Sequence, residues 1–149
     1  QEEVQKTASG RSMVDGASKI EDGHKTEVNR KIVTEFCDKV LIGGQYHLVP
    51  DYISSEEYIQ HSPAVEDGIR GFQKFTQDLD AKGLAMRYKK IHKLLVQGNF
   101  ATTLSEVQMD NEDWCIIDIY RLKKGKIVEH WDVIEKIGPK ETWNNSGKF

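Results

Sequence analysis

The spacing of apolar residues along the chain changes at Gly83. Before it, apolar positions recur at helical spacing in two stretches, which predicts two amphipathic helices. The first stripe consists of Val28, Ile32, Val33, Phe36, Cys37 and Val40, and the second of Ile69, Phe72, Phe75 and Leu79. Gly43-Gly44 and Gly83 are the predicted helix ends, because glycine readily takes the left-handed conformation that closes a helix. Cys37 lies at the edge of its stripe, where we expect a small buried hydrophobe rather than a nucleophile.

After Gly83 apolar and polar residues alternate, which is the period of a strand. Residues 85–97, 100–109, 114–122 and 126–137 are predicted as four long strands. We expect a hairpin loop at Gly98-Asn99, a loop at residues 111–113, and a three-residue turn with a bulge at Lys123-Lys124-Gly125. Helices followed by an antiparallel meander indicate an α+β fold.

Shorter features complete the pattern. Residues 58–61 are predicted as a short strand, and Pro50-Asp51 and Ser54-Ser55 as turns. Residues 1–23 are polar and rich in small side chains, so we expect a weakly ordered N-terminal arm. Residues 24–149 are predicted to form a single domain.

Composition narrows the class of protein. The 149 residues carry a net charge of −3, and 38% of them are hydrophobic, which suits a globular domain with a core. No apolar run approaches the ~20 residues of a membrane helix, and no basic cluster favours a nucleic-acid partner. The two cysteines cannot form a disulfide framework. The chain begins with Gln1, so we expect either an exported, periplasmic protein that has lost a signal peptide or a trimmed cytoplasmic one.

The last hairpin concentrates the candidate chemistry. A three-residue turn would place Leu122 opposite Lys126, Tyr120 opposite Val128, Asp118 opposite His130 and Ile116 opposite Asp132. One face of the hairpin would then carry Ile116, Asp118, Tyr120, Val128, His130 and Asp132. The other face would carry Ile117, Ile119, Arg121, Ile127, Glu129, Trp131 and Val133, with Arg121 and Glu129 neutralising each other across the strands. This second face suits a core or a dimer interface.

The first face has two interpretations. If it lines a pocket, Asp118, His130 and Asp132 form a proton-handling set, because poor solvation raises the pKa of a carboxyl group and an imidazole exchanges protons near neutral pH. If this face is exposed to water, its Asp and His residues are ordinary surface side chains of an antiparallel sheet, and the pattern alone favours this second interpretation. His61, at the end of a predicted strand, is a further candidate residue. The sequence has no metal-binding motif, phosphate loop or nucleophilic serine elbow, so no metal site is expected.

Three segments resemble the SnoaL-like polyketide cyclases. Residues 58–63, Tyr-Ile-Gln-His-Ser-Pro, followed by Asp67-Gly68 and Gly71, resemble the YIQHNP…DG…G segment of that family. Residues 118–121 and 125–133 resemble its D-[IF]-[FY]-R…GKIVEHWDV ending, and residues 144–149 are similar to its N-x-N-G-M-F tail. The resemblance covers residues 24–149. Ser62 departs from the Asn of many relatives, and since a hydroxyl offers fewer donors than an amide, substrate preference is expected to differ.

The resemblance implies a nuclear transport factor two-like fold, in which a cone of curved antiparallel sheet wraps around helices and leaves a pocket at its wide end. It also implies acid/base chemistry without a cofactor and a homodimer formed through the sheet. Matched by motif, His61, His130 and Asp132 are the expected catalytic residues. The substrate is expected to contact Asp118, Tyr120, Tyr58, Phe72 and Ile116.

With the resemblance added, the pocket interpretation is favoured. The leading hypothesis is an enzyme in which Asp132 removes a proton from the carbon next to a carbonyl group. His130 or His61 would donate a proton or a hydrogen bond to the developing enolate oxygen, and Asp118 would orient a histidine or hold its charge. Aldol-type cyclisation, isomerisation and dehydration share that step. The alternatives are a non-catalytic binder of a small hydrophobic ligand and a structural dimerisation module. The expected partners are a small molecule and a second copy of the chain, not nucleic acid or a membrane.

Overall fold

The computed structural model describes residues 6–149, and the first five residues of the predicted arm lie outside that range. Its strands are β1 (Ile59–Gln60), β2 (Arg87–Gln97), β3 (Phe100–Met109), β4 (Glu112–Lys123) and β5 (Lys126–Lys136). They form one curved sheet in the order β1-β5-β4-β3-β2. Strand β1 is parallel to β5, and the other neighbours are antiparallel. The predicted α+β fold, with helices before a meander, is confirmed.

Three α-helices precede the meander. They are α1 (Thr26–Phe36), α2 (Val49–Tyr52) and α3 (Gly68–Ala81). Helix α1 continues as a wider π-helical segment (Cys37–Ile42) that ends at Gly43-Gly44, where Gly44 has φ of 65°. Single 3₁₀ turns occur at Gly23–Lys25, Tyr46–Leu48 and Lys140–Thr142. The predicted turn at Pro50-Asp51 is wrong: both residues lie in α2, whose first turn accepts proline because it needs no N–H there.

The predicted apolar stripe of α1 is partly wrong. Val28 is 59% exposed, and Asn29 is buried in its place, donating from Nδ2 to the Gly98 carbonyl at 2.9 Å. Every fourth residue advances about 40° around a helix, so a strict four-residue repeat leaves the buried face. Residues Val33, Phe36, Cys37 and Val40 are buried as predicted.

The core lies between the helices and the sheet face that they cover. Its buried members are Val33, Phe36, Cys37, Val40, Val49, Tyr52, Ile53, Tyr58, Ala101, Tyr120, Leu122 and Ile127. Burial foremost, with the charges of Asp118 and Asp38, raises the pKa of the Cys37 thiol. This protonated, buried thiol is the small hydrophobe expected at that position.

The register of the last hairpin differs from the prediction. Lys123 pairs with Lys126, so Lys124 and Gly125 alone form the turn, with φ of 51° and 77°. A β-bulge follows the turn. Arg121 pairs with Glu129 and Leu122 pairs with Ile127, so Val128 is the extra residue of the bulge and has no partner in the pairing of β4 with β5. Ile127 therefore joins the core instead of the outer face.

Farther along the hairpin the predicted pairs are displaced by two residues. Asp118 pairs with Asp132, Tyr120 with His130, and Ile116 with Ile134. A displacement by an even number of residues leaves Asp118, His130 and Asp132 on their predicted face, whereas the bulge nearer the turn moves Ile127 from the outer set to the core. The preceding loop is also shorter than predicted: the turn is Asp110-Asn111, and β4 already begins at Glu112.

The described part of the arm contacts the domain along its length. Ala8 donates its backbone N–H to the Pro63 carbonyl at 2.9 Å, and Asn99 donates to the Glu21 carbonyl at 2.9 Å. Residues 6–22 contain no helix or strand. The division into an arm and a single domain stays a prediction. Among residues 6–149, no helix has the length and apolar character needed to cross a membrane.

Candidate active site

A cavity of about 580 Å³ lies between the concave sheet face and helices α1 and α3. Its walls are apolar near the helices, where Phe36, Phe72, Phe75 and Leu79 contribute, and polar where β4 and β5 meet. Six of the eight predicted site residues line it: Tyr58, Phe72, Asp118, Tyr120, His130 and Asp132. Strands β4 and β5 carry four of these side chains, helix α3 carries Phe72, and Tyr58 directly precedes β1.

His130 is hydrogen-bonded at both ring nitrogens. Nε2 lies 2.7 Å from Asp118 Oδ1, and Nδ1 lies 2.7 Å from Gln60 Oε1. The amide of Gln60 is oriented by two further bonds, since its oxygen accepts the Ser62 backbone N–H at 3.0 Å and its nitrogen donates to the Tyr58 hydroxyl at 3.2 Å. Because an amide oxygen only accepts, Nδ1 of His130 carries a proton.

The second proton of this network lies between His130 and Asp118. Burial alone would lower the pKa of His130, but its hydrogen bond to Asp118 and the charges of Asp118 and Asp132 raise that pKa above its ordinary value. Asp118 also accepts a hydrogen bond at Oδ2 from the Tyr88 hydroxyl at 3.0 Å. Asp118 thus accepts a hydrogen bond at each of its oxygens, and its contact with His130 favours the protonated form of that imidazole.

Asp132 completes the polar end of the cavity. It is directly opposite Asp118 in the strand pairing, and it is half-buried. One ring nitrogen of His130 and one carboxylate oxygen each of Asp118 and Asp132 all lie within 4.8 Å of one another. Side chains of these kinds also bind cations. Here, however, His130 uses both ring nitrogens within the protein, so the geometry is that of an ion pair beside a second carboxylate.

Three tyrosines surround these charges. Burial foremost, reinforced by the nearby charge of Asp118, raises the pKa values of Tyr58, Tyr88 and Tyr120. Their hydroxyl groups therefore stay protonated and are available as hydrogen-bond donors. Tyr58 already accepts a bond from Gln60, which leaves its own proton to donate elsewhere.

Solved structures resemble this arrangement of helices and sheet. A provisionally named ketosteroid isomerase from Kribbella flavida has a TM-score of 0.67 and 14% identity, covering 83% of this chain and 93% of its own. A protein of unknown function from Mesorhizobium loti has a TM-score of 0.64 and 18% identity, covering 79% and 99%. A SnoaL-like polyketide cyclase from Agrobacterium tumefaciens has a TM-score of 0.56 and 11% identity, covering 72% and 91%. This chain has the nuclear transport factor two-like fold, which the SnoaL-like cyclases share.

Comparisons by sequence add nothing to that assignment. No family model matches the chain, and no curated protein matches it. The likeness therefore rests on structure at low identity, and it shows the fold alone.

Two predicted site residues are not at the cavity of this nuclear transport factor two-like domain. His61 lies on the opposite side of the sheet, where its Nε2 is 2.8 Å from Glu129 Oε1 and its ring stacks on Trp131. The strand alternation explains the error, because Gln60 and His61 are neighbours and only one of them can face the cavity. Ile116 is on the predicted face but is buried and does not line the cavity.

Two residues of the network were missed by the sequence analysis. Gln60 stands between Tyr58 and His61, and only those two residues of the segment are predicted site residues. Tyr88 lies on β2, far along the chain from the last hairpin, and no local pattern connects it with Asp118. Pairing of β2 with β3 and β3 with β4 brings that hydroxyl to the carboxylate.

Proposed function

We propose that this protein is a cofactor-independent enzyme that transfers a proton on a small carbonyl compound within the cavity. The observation that carries the proposal is the placement of Asp132 beside the His130–Asp118 ion pair, inside a cavity with apolar walls. An apolar cavity with a few convergent polar groups suits a small organic ligand. A carboxylate next to a fixed positive charge suits removal of a proton and stabilisation of the enolate that forms.

Each group has a role set by its contacts. Asp132 is the general base that takes the proton from the carbon next to the carbonyl group. His130 acts through its positive charge, since both of its N–H groups already donate within the protein. Tyr58, whose proton is not used on Gln60, is the proposed donor to the enolate oxygen. His61 has no part in this chemistry, because it lies across the sheet.

Several reactions begin with this step. Aldol-type ring closure, double-bond isomerisation and dehydration all form an enolate first, and they differ in where the electron pair then goes. The aromatic wall formed by Phe72 and Phe75 favours a planar or cyclic substrate, because flat rings pack well against aromatic side chains.

The test has two steps. A thermal-shift screen with cyclic ketones and phenolic compounds identifies ligands, because a ligand that binds only the folded state raises the melting temperature. Each ligand is then incubated with protein in heavy water, and NMR follows deuterium entering the position next to the carbonyl group. We expect enzyme-dependent exchange. A ketone that binds in the cavity but exchanges no faster than in buffer would make the protein a non-catalytic binder.

We also propose that two copies associate through the outer face of the sheet. On that face of β4 and β5, Ile117 pairs with Val133 and Ile119 lies two residues along β4 from Ile117, and all three side chains are exposed in the single chain. Contiguous exposed apolar side chains are typical of interaction surfaces.

A further inference from the structure

A second histidine–carboxylate pair lies on the outer side of the sheet, and the proposed chemistry does not use it. His61 Nε2 is 2.8 Å from Glu129 Oε1, and Glu129 Oε2 accepts a hydrogen bond from Arg121 Nε at 2.6 Å. Both His61 and Glu129 are almost fully buried, with 2% and 1% exposure. Buried polar and charged groups need partners, and other parts of the chain must cover this pair to bury it so completely.

The N-terminal arm provides that cover. The Ser12 carbonyl lies 2.6 Å from His61 Nδ1, and the Asp15 carbonyl accepts the Trp131 indole N–H at 2.8 Å. The Trp131 ring stacks on His61 with 4.8 Å between centroids and 1° between planes. Gly16 follows with φ of 108°, and a Cβ at this position would lie 3.1 Å from His61 Nε2. We call His61, Arg121, Glu129 and Trp131 the outer cluster. The arm is therefore hydrogen-bonded to both aromatic rings of the outer cluster.

The outer cluster and the cavity are joined through strand β1. In the parallel pairing of β1 with β5, Ile59 is the partner of Glu129 and Gln60 is the partner of His130. His61 adds one backbone bond, from its N–H to the His130 carbonyl at 3.0 Å. Side chains alternate across a sheet, so His61 bonds to Glu129 on the outside while Gln60 bonds to His130 on the inside.

Strand β1 is held on β5 by a few backbone bonds, with a separate Ile53–Ile127 bridge upstream and Asp67 accepting the Gln60 backbone N–H at 2.9 Å. It is two residues long, and a strand so short contributes few ladder hydrogen bonds. The side-chain bonds on its two faces are therefore a large part of what sets its position. A shift of β1 along or away from β5 would move Gln60 and His61 together.

We propose that residues 12–16 of the arm position His130 from the far side of the sheet. By holding His61 against Glu129, they fix β1 on β5 and so keep Gln60 Oε1 on His130 Nδ1. The arm is thus a positioning element for the ion pair in the cavity. The effect on turnover rests on the proposed function, whereas the effect on the His130 ring does not.

Two glycines of the arm provide the test and its control. A side chain at Gly16 would overlap Glu129 Oε1 and lie 2.7 Å from Trp131 Cζ2, so Gly16→Ala should lift the arm from the cluster. Gly10 also has a positive φ, of 79°, but a side chain there would meet nothing within 4 Å. Gly10→Ala therefore also places an L side chain at a positive φ in the arm, but without the overlap.

The experiment uses NMR of the full chain with labelled histidine and tryptophan. The Trp131 indole N–H reports whether the arm is bound, and the His130 Nδ1–H reports whether Gln60 is in place. We expect Gly16→Ala to shift the indole signal towards its solvent-exposed position and to weaken or shift the His130 Nδ1–H signal. Gly10→Ala should leave both signals as in the wild type.

The readouts separate this inference from the proposed function. A displaced Trp131 signal with an unchanged His130 signal would overturn the inference, as would equal effects of the two glycine variants or an indole signal that Gly16→Ala does not move. If a ketone substrate is found, kcat should fall roughly tenfold in Gly16→Ala with a smaller change in KM, as expected from slight misplacement of a catalytic group. If no substrate is turned over but the His130 signal responds, the inference stands and the proposed function fails.

Discussion

Asp118 and His130 meet diagonally across two strands. Asp118 is paired with Asp132, and His130 is paired with Tyr120, yet His130 Nε2 reaches back 2.7 Å to Asp118 Oδ1. Diagonal neighbours on one face of an antiparallel sheet are within reach of long side chains. This geometry places the His130 ring beside the carboxylates of Asp118 and Asp132, and the predictions on His130 below depend on it.

The first prediction concerns the proposed base. Asp132→Asn should reduce deuterium exchange of a bound ketone by roughly 10²- to 10⁴-fold, because an amide cannot take a proton and general bases contribute on that scale. Binding in the thermal-shift assay should persist. Glu135→Gln is the control, since it changes the same charge on an exposed position of the same strand. Equal exchange rates for Asp132→Asn and the wild type would remove Asp132 from its role.

The second prediction concerns pH and stability. The pKa of His130 is raised in the folded protein, so protonation favours folding. This contribution is fully present below the ordinary histidine pKa of 6.5 and is lost as pH rises through the higher value in the folded state. In Asp118→Asn the hydrogen bond to the carboxylate and its charge are lost, burial remains, and the pKa of His130 should fall.

Urea denaturation over a series of pH values measures this effect. For the wild type, the free energy of unfolding should decline above pH 6.5, while Asp118→Asn should lack that decline. His92→Gln, which removes a half-buried histidine on β2, should retain it. An identical decline in Asp118→Asn would show that the ion pair is not its source.

The third prediction concerns Tyr88. Tyr88→Phe removes the hydroxyl that donates to Asp118 Oδ2 at 3.0 Å and leaves a buried carboxylate with one donor fewer. We expect the free energy of unfolding to fall by about 1.5–3 kcal/mol, the usual range for a hydrogen bond to a charged group. Tyr46→Phe, at the cavity wall where Tyr46 packs on Phe72, is the control and should cost less than about 0.5 kcal/mol. Equal losses for the two variants would contradict the bond.

The fourth prediction concerns the proposed homodimer. Val133→Lys places a charge on the outer sheet face and should shift the protein to monomer in light scattering. Val28→Lys is a matched control, because Val28 on α1 and Val133 on β5 have almost the same exposure, 59% and 60%. A wild-type protein that is already monomeric at all concentrations, or a dimer that survives Val133→Lys, would rule out this interface.

The order of elements could be predicted from the sequence because hydrophobic period distinguishes helix from strand. Strand β3 and helix α3 follow that period closely, and glycine lies just beyond the ends of α3 (Gly83), β2 (Gly98) and β4 (Gly125). The register of the last hairpin could not be predicted in the same way. It depends on whether Lys123 belongs to the turn or to β4, and on a bulge at Leu122 that no local residue preference reveals.

The candidate site was predictable where it lies on one hairpin and not where it draws on distant strands. Asp118, His130 and Asp132 share a face in either register, because the predicted and observed pairings differ there by two residues. His61 was misplaced because the parallel pairing of β1 with β5 decides which of two neighbouring residues faces inward. Gln60 and Tyr88 became visible only as hydrogen-bond partners, and the catalytic roles of all these residues stay predictions.

The charge on His130 is the point on which the chemistry of the cavity depends, and nitrogen NMR of the labelled ring measures it directly. Near neutral pH we expect both ring nitrogens to carry protons, with the shifts of an imidazolium and slow solvent exchange from burial between Gln60 and Asp118. In Asp118→Asn the Nε2 proton should be lost at the same pH. A neutral ring with a single N–H in the wild type would contradict the ion pair, and with it the proposed stabilisation of an enolate beside Asp132.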